Sequence, residues 1–374
     1  MSTQSYPTRT VLEGVPRIQF YEGGKRCPED ICFPSALRAW LEYMNDPDYG
    51  CKHCIARTPT CKVNCTYSFL IGVSGIAAFC SWGPGWQQDN MALHYMSDDP
   101  DAPYRRAFEA VGYSVEWLGK TPGRDNETAW RTHIVESIRQ GRPVLGFGVV
   151  GPPEPALITG YDEGGDVLLG WSFFQNMPEF KEGVTYEPCG YFRKHDWFKA
   201  TDNLVVIGAK QGQPDMTKAC REGLQWMLKV TRTPMTYGYR PNGLAAYDAW
   251  AADIVKDADF PAGDEATLRA RFGVHNNAVG EVAEARWYGA QFLLQCVDFL
   301  HYNMTEDLMH AAACYAGEHE LMWKAWDLLG GNGNPEGYKY LLDASARRQL
   351  AEVIKQSREK YAQAAHYLEH ALAK

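Results

Sequence analysis

Apolar and polar positions divide the chain into two regimes. Between Pro143 and Phe174 three apolar runs follow one another: Pro143–Val150, Ala156–Tyr161 and Val167–Phe174. Each is short, rich in Val, Ile, Leu and Phe, and bounded by turn residues, which is the pattern of buried strands. Asp162-Glu-Gly-Gly-Asp166 between the last two is a hairpin turn signal. Ser114–Leu118 and Leu204–Ala209 read as further strands, and Val11–Phe20 as an edge strand interrupted at Pro16. Pro103–Val111 and Glu127–Gln140 carry helical spacing, and apolar Tyr67–Ser81 reads as helix followed by strand.

After about residue 212 the period becomes helical. Ala285, Tyr288, Phe292, Cys296 and Phe299 mark one stripe, and Leu308, Ala312, Tyr315, His319, Met322 and Trp326 another, with Thr305 as its expected N-cap. Leu350, Ile354, Tyr361 and Leu368 mark a long last helix. The pattern predicts an α+β domain over 1–211 and an α-helical bundle over 212–374.

The chain has 374 residues, enough for two domains with a large core. Aromatics reach 13%, which favours aromatic-lined pockets. The net charge of −9 comes without a basic stripe, so nucleic acid and anionic membranes are not expected partners. No apolar run approaches the roughly 20 residues that span a bilayer. The N-terminal MSTQSYPTRT carries no apolar signal segment, so the expected location is the cytoplasm. Eleven cysteines, an odd number, then point to thiols or metal ligands rather than a disulfide framework.

One cysteine stands out by position. In CPEDICFPSALRAWLEYMN, Pro34 suits a helix start and Leu37, Leu41 and Met44 recur at helical spacing, with Trp40 beside them. Cys32 thus lies just before a helix N-terminus, where the positive end of the helix dipole favours thiolate. A cysteine opening a helix, with a sheet far along the chain to carry a base, is a papain-like organisation.

Several stretches carry a closer resemblance: ICFPSALRAWLEYM, YSFLIGVSGIAAF with PGWQQDN, DAPYRRAFEAVGYSVEWL, ALITGYDEGGDVLLGWSFFQ, and WYGAQFLLQCVDFL in the helical tail. Over roughly residues 10–330 the chain resembles bacterial members of the butirosin-biosynthesis acyltransferase family. The N-terminal domain of that family is related to double-glycine-type cysteine peptidases. The resemblance implies a papain-like α+β domain with a mixed or antiparallel sheet, followed by a helical bundle. It also implies transfer of an acyl group from a carrier-protein thioester to an amine. In related peptidases the catalytic His lies seven residues before the Tyr of a strand ending in Gly-Tyr; here Gly160-Tyr161 ends the strand and Glu154 occupies that position.

Arg26 stands where an oxyanion-hole Gln is expected, about six residues before the Cys, and Gln19 is farther off. A thiol near 8.5 giving its proton to a Glu near 4.3 is uphill by about 4 units, roughly 6 kcal/mol. A carboxylate suits another task better, accepting the proton of an attacking amine. Cys32 and Glu154 are therefore the candidate catalytic residues of an acyl- or amide-handling enzyme. One alternative is an inactive papain-like pseudoenzyme that binds a small amine or peptide. The other is a cysteine peptidase using His195 as base. Tyr161, Asp162 and Ser172 lie near the place of a third triad member, and Tyr161 is taken as substrate-binding.

Two further features carry chemistry. Cys51-Lys-His-Cys54 and Cys61-Lys-Val-Asn-Cys65 give C-x2-C-x6-C-x3-C, two close thiol pairs that suit a structural tetrahedral zinc better than an iron–sulfur cluster. His53 could replace one thiol. The turn SWGPGWQQDN offers Trp82, Trp86 and Asn90 as a pocket with aromatic walls and a polar hook, or as a packed turn. His310 and Cys314 share one helix face, whereas His319 on the apolar stripe reads as a core histidine. The expected partners are a small amine or peptide and an acyl-carrier protein. The helical bundle is expected either to close over the site or to form a homodimer interface.

Overall fold

A computed structural model of the chain describes residues 7–21, 28–49 and 64–374. In chain order the strands are β1 (Thr10–Val11), β2 (Tyr113–Gly119), β3 (Val144–Phe147), β4 (Pro155–Asp162), β5 (Val167–Trp171), β6 (Val184–Tyr186), β7 (Phe192–Lys194), β8 (Asn203–Lys210), β9 (Met235–Thr236) and β10 (Arg240–Pro241). The helices are α1 (Cys32–Tyr43), α2 (Cys65–Val73), α3 (Ala102–Val111), α4 (Asn126–Arg139), the one-turn α5 (Trp197–Ala200), α6 (Met216–Arg232), α7 (Leu244–Asp253), α8 (Glu265–Val297), α9 (Thr305–Asp327) and α10 (Ala344–Leu372). The architecture is α+β. Two compact units divide the chain, Met1–Tyr67 with Val111–Pro214 and Ser68–Ala110 with Asp215–Lys374.

The first unit is built on a sheet of order β2-β8-β3-β4-β5-β7-β6, with β1 added beside β4. Its strand pairs are antiparallel. The strand β4 carries two neighbours on one side in succession: β3 pairs with Pro155–Ile158, and β1 with Gly160 and Tyr161. Every residue from Pro155 to Tyr161 is buried, and both α1 and α4 pack on this strand. Continuous burial explains why the run reads as apolar throughout rather than alternating. The edge strand expected over Val11–Phe20 shrinks to Thr10–Val11, and the described residues Pro16–Tyr21 pair with no strand.

The second unit departs from the expected boundary. Ser68–Ala110, expected in the first domain, belongs with the helices. Small residues explain this. A Cβ on Gly72 would lie 2.1 Å from the Phe292 ring, and one on Gly75 (φ +87°) 2.4 Å from the Trp226 indole, so only glycine admits such close packing. The Trp226 indole N–H also donates to the Ser74 carbonyl (2.9 Å). The strand expected near Ser81 is instead a 3-10 turn over Ile76–Ala78 and a single bridge between Ser81 and Asn242.

In this unit α8 packs on α9, α9 on α10, and α10 on α7 and α6. Asp215, Asp264 and Asp343 cap α6, α8 and α10 by accepting the N–H of Lys218, Thr267 and Ser345. Thr305, expected as the cap of α9, is instead its first residue, with Met304 in the cap position. Glu306 and Asp307 in the first turn face the positive end of that helix dipole. Among the described residues no helix is long and apolar enough to cross a membrane.

Candidate active site

The helix α1 is buried from Cys32 through Leu41. Burial on every face over that stretch makes it a core helix. Pro34 falls in its first turn, where a missing N–H costs nothing. Cys32 is the first helical residue rather than the one before the helix, and it is 7% exposed. The one charge in the buried stretch, Arg38, is paired with Glu29 (3.0 Å) and Glu42 (2.9 Å).

Side-chain contacts orient α1 along the sheet. The Trp40 indole N–H donates to the Pro143 carbonyl (3.0 Å), and its ring meets Tyr113 edge-on at 4.9 Å. Asp46, just past the helix, accepts from Lys210 Nζ (2.9 Å) and from the Tyr113 hydroxyl. The C-terminal end of α1 is thereby fixed where β3 starts and β8 finishes. Its N-terminal end faces the opposite end of the sheet. There the Tyr21 N–H donates to Asp30 Oδ1 (2.8 Å), and the Phe20 ring packs edge-on against Phe173 (5.0 Å) and Phe174 (5.4 Å). Phe173 and Phe174 follow β5, whose Trp171 pairs with Leu157 near the start of β4. Glu154 immediately precedes β4, so Cys32 and Glu154 share one end of the sheet.

The β3–β4 loop that carries Glu154 is held firmly. Gly148 N–H donates to the Glu154 carbonyl (3.2 Å), and Glu154 N–H reaches the Pro152 carbonyl (2.6 Å). Gly151 adopts φ +113°, and a Cβ there would lie 2.7 Å from Phe174, so the loop backbone lies directly against that ring. Glu154 is half-buried, and burial pushes its carboxyl up to about 7. Burial also raises Asp30 to about 6, against the pull of the Tyr21 N–H. The Cys32 Sγ lies 3.9 Å from the Asp30 carbonyl oxygen. Gln19 Oε1 is buried without a hydrogen-bond partner, on the segment that Tyr21 holds beside Asp30.

Desolvation alters the proton chemistry expected from sequence. With Glu154 near 7, its carboxylate holds a proton more tightly than an exposed glutamate near 4.3. A carboxyl near neutrality is also suited to accept a proton from an amine.

Other expected residues stand elsewhere. Tyr161 lies at the far end of β4 from Glu154, fully buried, its hydroxyl donating to the Pro7 carbonyl (3.3 Å) and accepting from Thr10 Oγ1 (3.1 Å). Its contacts anchor β1. Asp162 joins Arg9, Arg193 and Glu187 in an ion-pair network at that end. Ser172 donates to the Val150 carbonyl (2.7 Å) and so ties β5 to the Glu154 loop. His195 is exposed just past β7, where Lys194 pairs with Leu168, again at the end away from Glu154.

Trp82, Trp86 and Asn90 belong to the second unit, within a packed turn. Trp82 stacks on Trp250 at 5.3 Å and donates to Asp253 Oδ2 (2.8 Å), and Trp86 donates to Asp259 Oδ2 (3.0 Å). The buried Arg240 organises the turn: it donates to Ser81 Oγ (2.9 Å), Gln87, the Asp89 carbonyl (3.3 Å) and Asn90 Oδ1 (3.3 Å), and lies 3.4 Å above the Tyr95 ring. Nothing in the hydrophobic pattern marks Arg240. His319 is half-buried with both ring nitrogens engaged, by the Ala283 carbonyl (2.8 Å) and the Trp323 indole (2.9 Å). Cys51, His53, Cys54, Cys61 and Arg26 lie outside the described residues; Cys65 is the first residue of α2. Among the described residues no group of three or more His, Cys, Asp or Glu is placed to hold a metal.

No protein-family model matches this chain, and no curated protein is similar to it.

Proposed function

We propose that the first unit is a papain-like domain that transfers an acyl group from a thioester to an amine, with Cys32 as nucleophile and Glu154 as proton acceptor. The observation that carries this reading is the shared sheet end: a thiol on the first residue of a buried helix and a desolvated carboxyl just before β4. In the proposed reaction Cys32 gives its proton to Glu154, the resulting thiolate attacks the thioester carbonyl, and the donor leaves as a thiol by taking that proton back from Glu154. The amine then attacks the acyl-cysteine, its proton passes to Glu154, and the Cys32 thiolate departs. Gln19, whose Oε1 is buried on the adjoining segment, would polarise the carbonyl through the N–H groups of the same amide. The exposed His195, at the other sheet end, does not favour a peptidase mechanism.

The alkylation rate of Cys32 against pH tests the proposal, with Cys32→Ser identifying its signal among the eleven cysteines. The expected profile rises well below 8.5 and shifts in Glu154→Gln. A Cys32 that stays unreactive across the range removes the nucleophile. The same end of the sheet would then be a binding site for a small amine or peptide, a reading favoured by the 7% exposure of Cys32.

A structural zinc held by Cys51, Cys54, Cys61 and Cys65 is proposed alongside. The support is the thiol spacing. Purified protein is expected to carry about one zinc per chain by elemental analysis. Chelation should lower its melting temperature, and Cys51→Ser with Cys54→Ser should abolish the metal. A metal content unchanged in that double variant would sink the assignment.

A further inference from the structure

Cys220 and Cys296 are each fully buried, on α6 and α8 of the helical unit. Contacts on either side set them opposite one another. Thr217 Oγ1 donates to the Phe299 carbonyl (3.1 Å) on one side. On the other, a Cβ on Gly223 would lie 3.0 Å from Phe292 Cζ, so the helices approach closely there. Cys220 lies midway between Thr217 and Gly223 along α6, and Cys296 lies between Phe299 and Phe292 along α8. Three successive contacts thus run in antiparallel register, and the middle one brings thiol to thiol. The Cys296 thiol is raised well above its ordinary range, first by burial and next by the hydrogen bond it shares with the Cys220 thiol.

We propose that Cys220 and Cys296 are an oxidisable pair, which a hydroperoxide converts to a disulfide that staples α6 to α8. One thiol attacks the peroxide oxygen and becomes a sulfenic acid, releasing water or an alcohol. The second thiol attacks the sulfenic sulfur, the S–S bond forms, and water leaves with the hydroxyl. The two electrons go to the hydroperoxide. Complete burial gates the step, because peroxide reaches either thiol only when α6 lifts from α8. The staple therefore forms slowly and records how often that interface opens. Its consequence is local to the unit: α6 carries Trp226, which holds the Ser74 carbonyl, so the staple also fixes the turn before Ile76.

The test treats the full chain with hydrogen peroxide under native conditions, then alkylates, digests and maps the peptides by mass spectrometry. Exposed Cys189 reports that the dose is effective, and Cys80, equally buried, serves as the unpaired control. The expected result is a Cys220–Cys296 cross-linked peptide, absent after dithiothreitol, with a reversible rise in melting temperature on the order of 5 °C. Cys220→Ala should lose both. The proposal is overturned if both thiols are recovered unmodified after exposure prolonged until the buried Cys80 is itself oxidised. It is overturned equally if the cross-link forms only in denatured protein, or if Cys220→Ala keeps the reversible rise.

Discussion

Replacing Glu318 with alanine is expected to lower the stability of the helical unit by about 3–5 kcal/mol, because it strands a buried cation. Arg286 and Glu318 are both fully buried, and the Arg286 Nε lies 3.2 Å from each carboxylate oxygen. The Tyr247 hydroxyl joins them, donating to Glu318 Oε2 (2.7 Å) and accepting from Arg286 Nη2 (3.0 Å). Arg286 also donates to the Ala77 and Phe79 carbonyls, while the Tyr361 hydroxyl donates to the Ala78 carbonyl. The consecutive carbonyls of Ala77, Ala78 and Phe79, at the end of the 3-10 turn, are thus gripped by α8 and α10. Burial raises the Glu318 carboxyl, and the guanidinium and the Tyr247 hydroxyl pull it back. Without Glu318 the guanidinium keeps its hydrogen bonds to the Ala77 and Phe79 carbonyls and to Tyr247, but loses those of its Nε and has no counter-charge. Urea unfolding followed by circular dichroism gives the difference. Arg286→Met combined with Glu318→Leu should recover most of the loss, since an apolar pair of similar volume leaves no buried charge. A loss below about 1 kcal/mol in Glu318→Ala would mean that water reaches the guanidinium and that the pair is not the clamp of this turn.

That pair was not singled out from the sequence, although its spacing allowed it. Arg286 lies seven residues from both Val279 and Leu293, and Glu318 lies three from Tyr315 and four from Met322, so both charges fall on buried helical stripes. Opposite charges on the apolar stripes of neighbouring helices signal a buried pair. Arg240 left no such trace, because the segments it joins are short turns without a period. The strands over 143–174 were legible for a simple reason: β4 is buried on every residue, and a continuous apolar run has few other fates in a domain this size. The allegiance of Ser68–Ala110 was not legible, because it depends on tertiary contacts of Gly72 and Gly75 rather than on local propensity. Within the proposed site, the helix start that carries Cys32 was readable from spacing, whereas Glu154 was singled out by the resemblance. The place of the segment ending in Gln19-Phe20-Tyr21 beside Asp30 was not readable, since it follows from the hydrogen bond from Tyr21 to Asp30.

Glu154 should make the sheet unit less stable as pH rises, by about 2–3 kcal/mol between pH 4 and pH 8 relative to Glu154→Gln. Its carboxyl is raised from 4.5 to about 7 by burial, so the folded state holds the proton more tightly than the unfolded chain does. The stabilising contribution of the neutral acid is fully present below about 4.5, declines through the interval, and is gone above about 7. A shift of 2.5 units corresponds to about 3 kcal/mol, and the half-burial of the side chain argues for the lower part of that range. Asp30, raised from 3.8 to about 6, acts with the same sign in an overlapping window, so both proteins must be compared with Asp30→Asn in each background. Unfolding free energies at pH 4, 6 and 8 give the two profiles. Divergence centred between 4.5 and 7 would establish a carboxyl that is half-protonated near neutrality, able to take a proton from an amine and return it to solvent. Parallel profiles would mean that Glu154 ionises like an exposed glutamate. The thiol-to-carboxylate step would then climb by roughly 6 kcal/mol, and Glu154 would lose its place as the base.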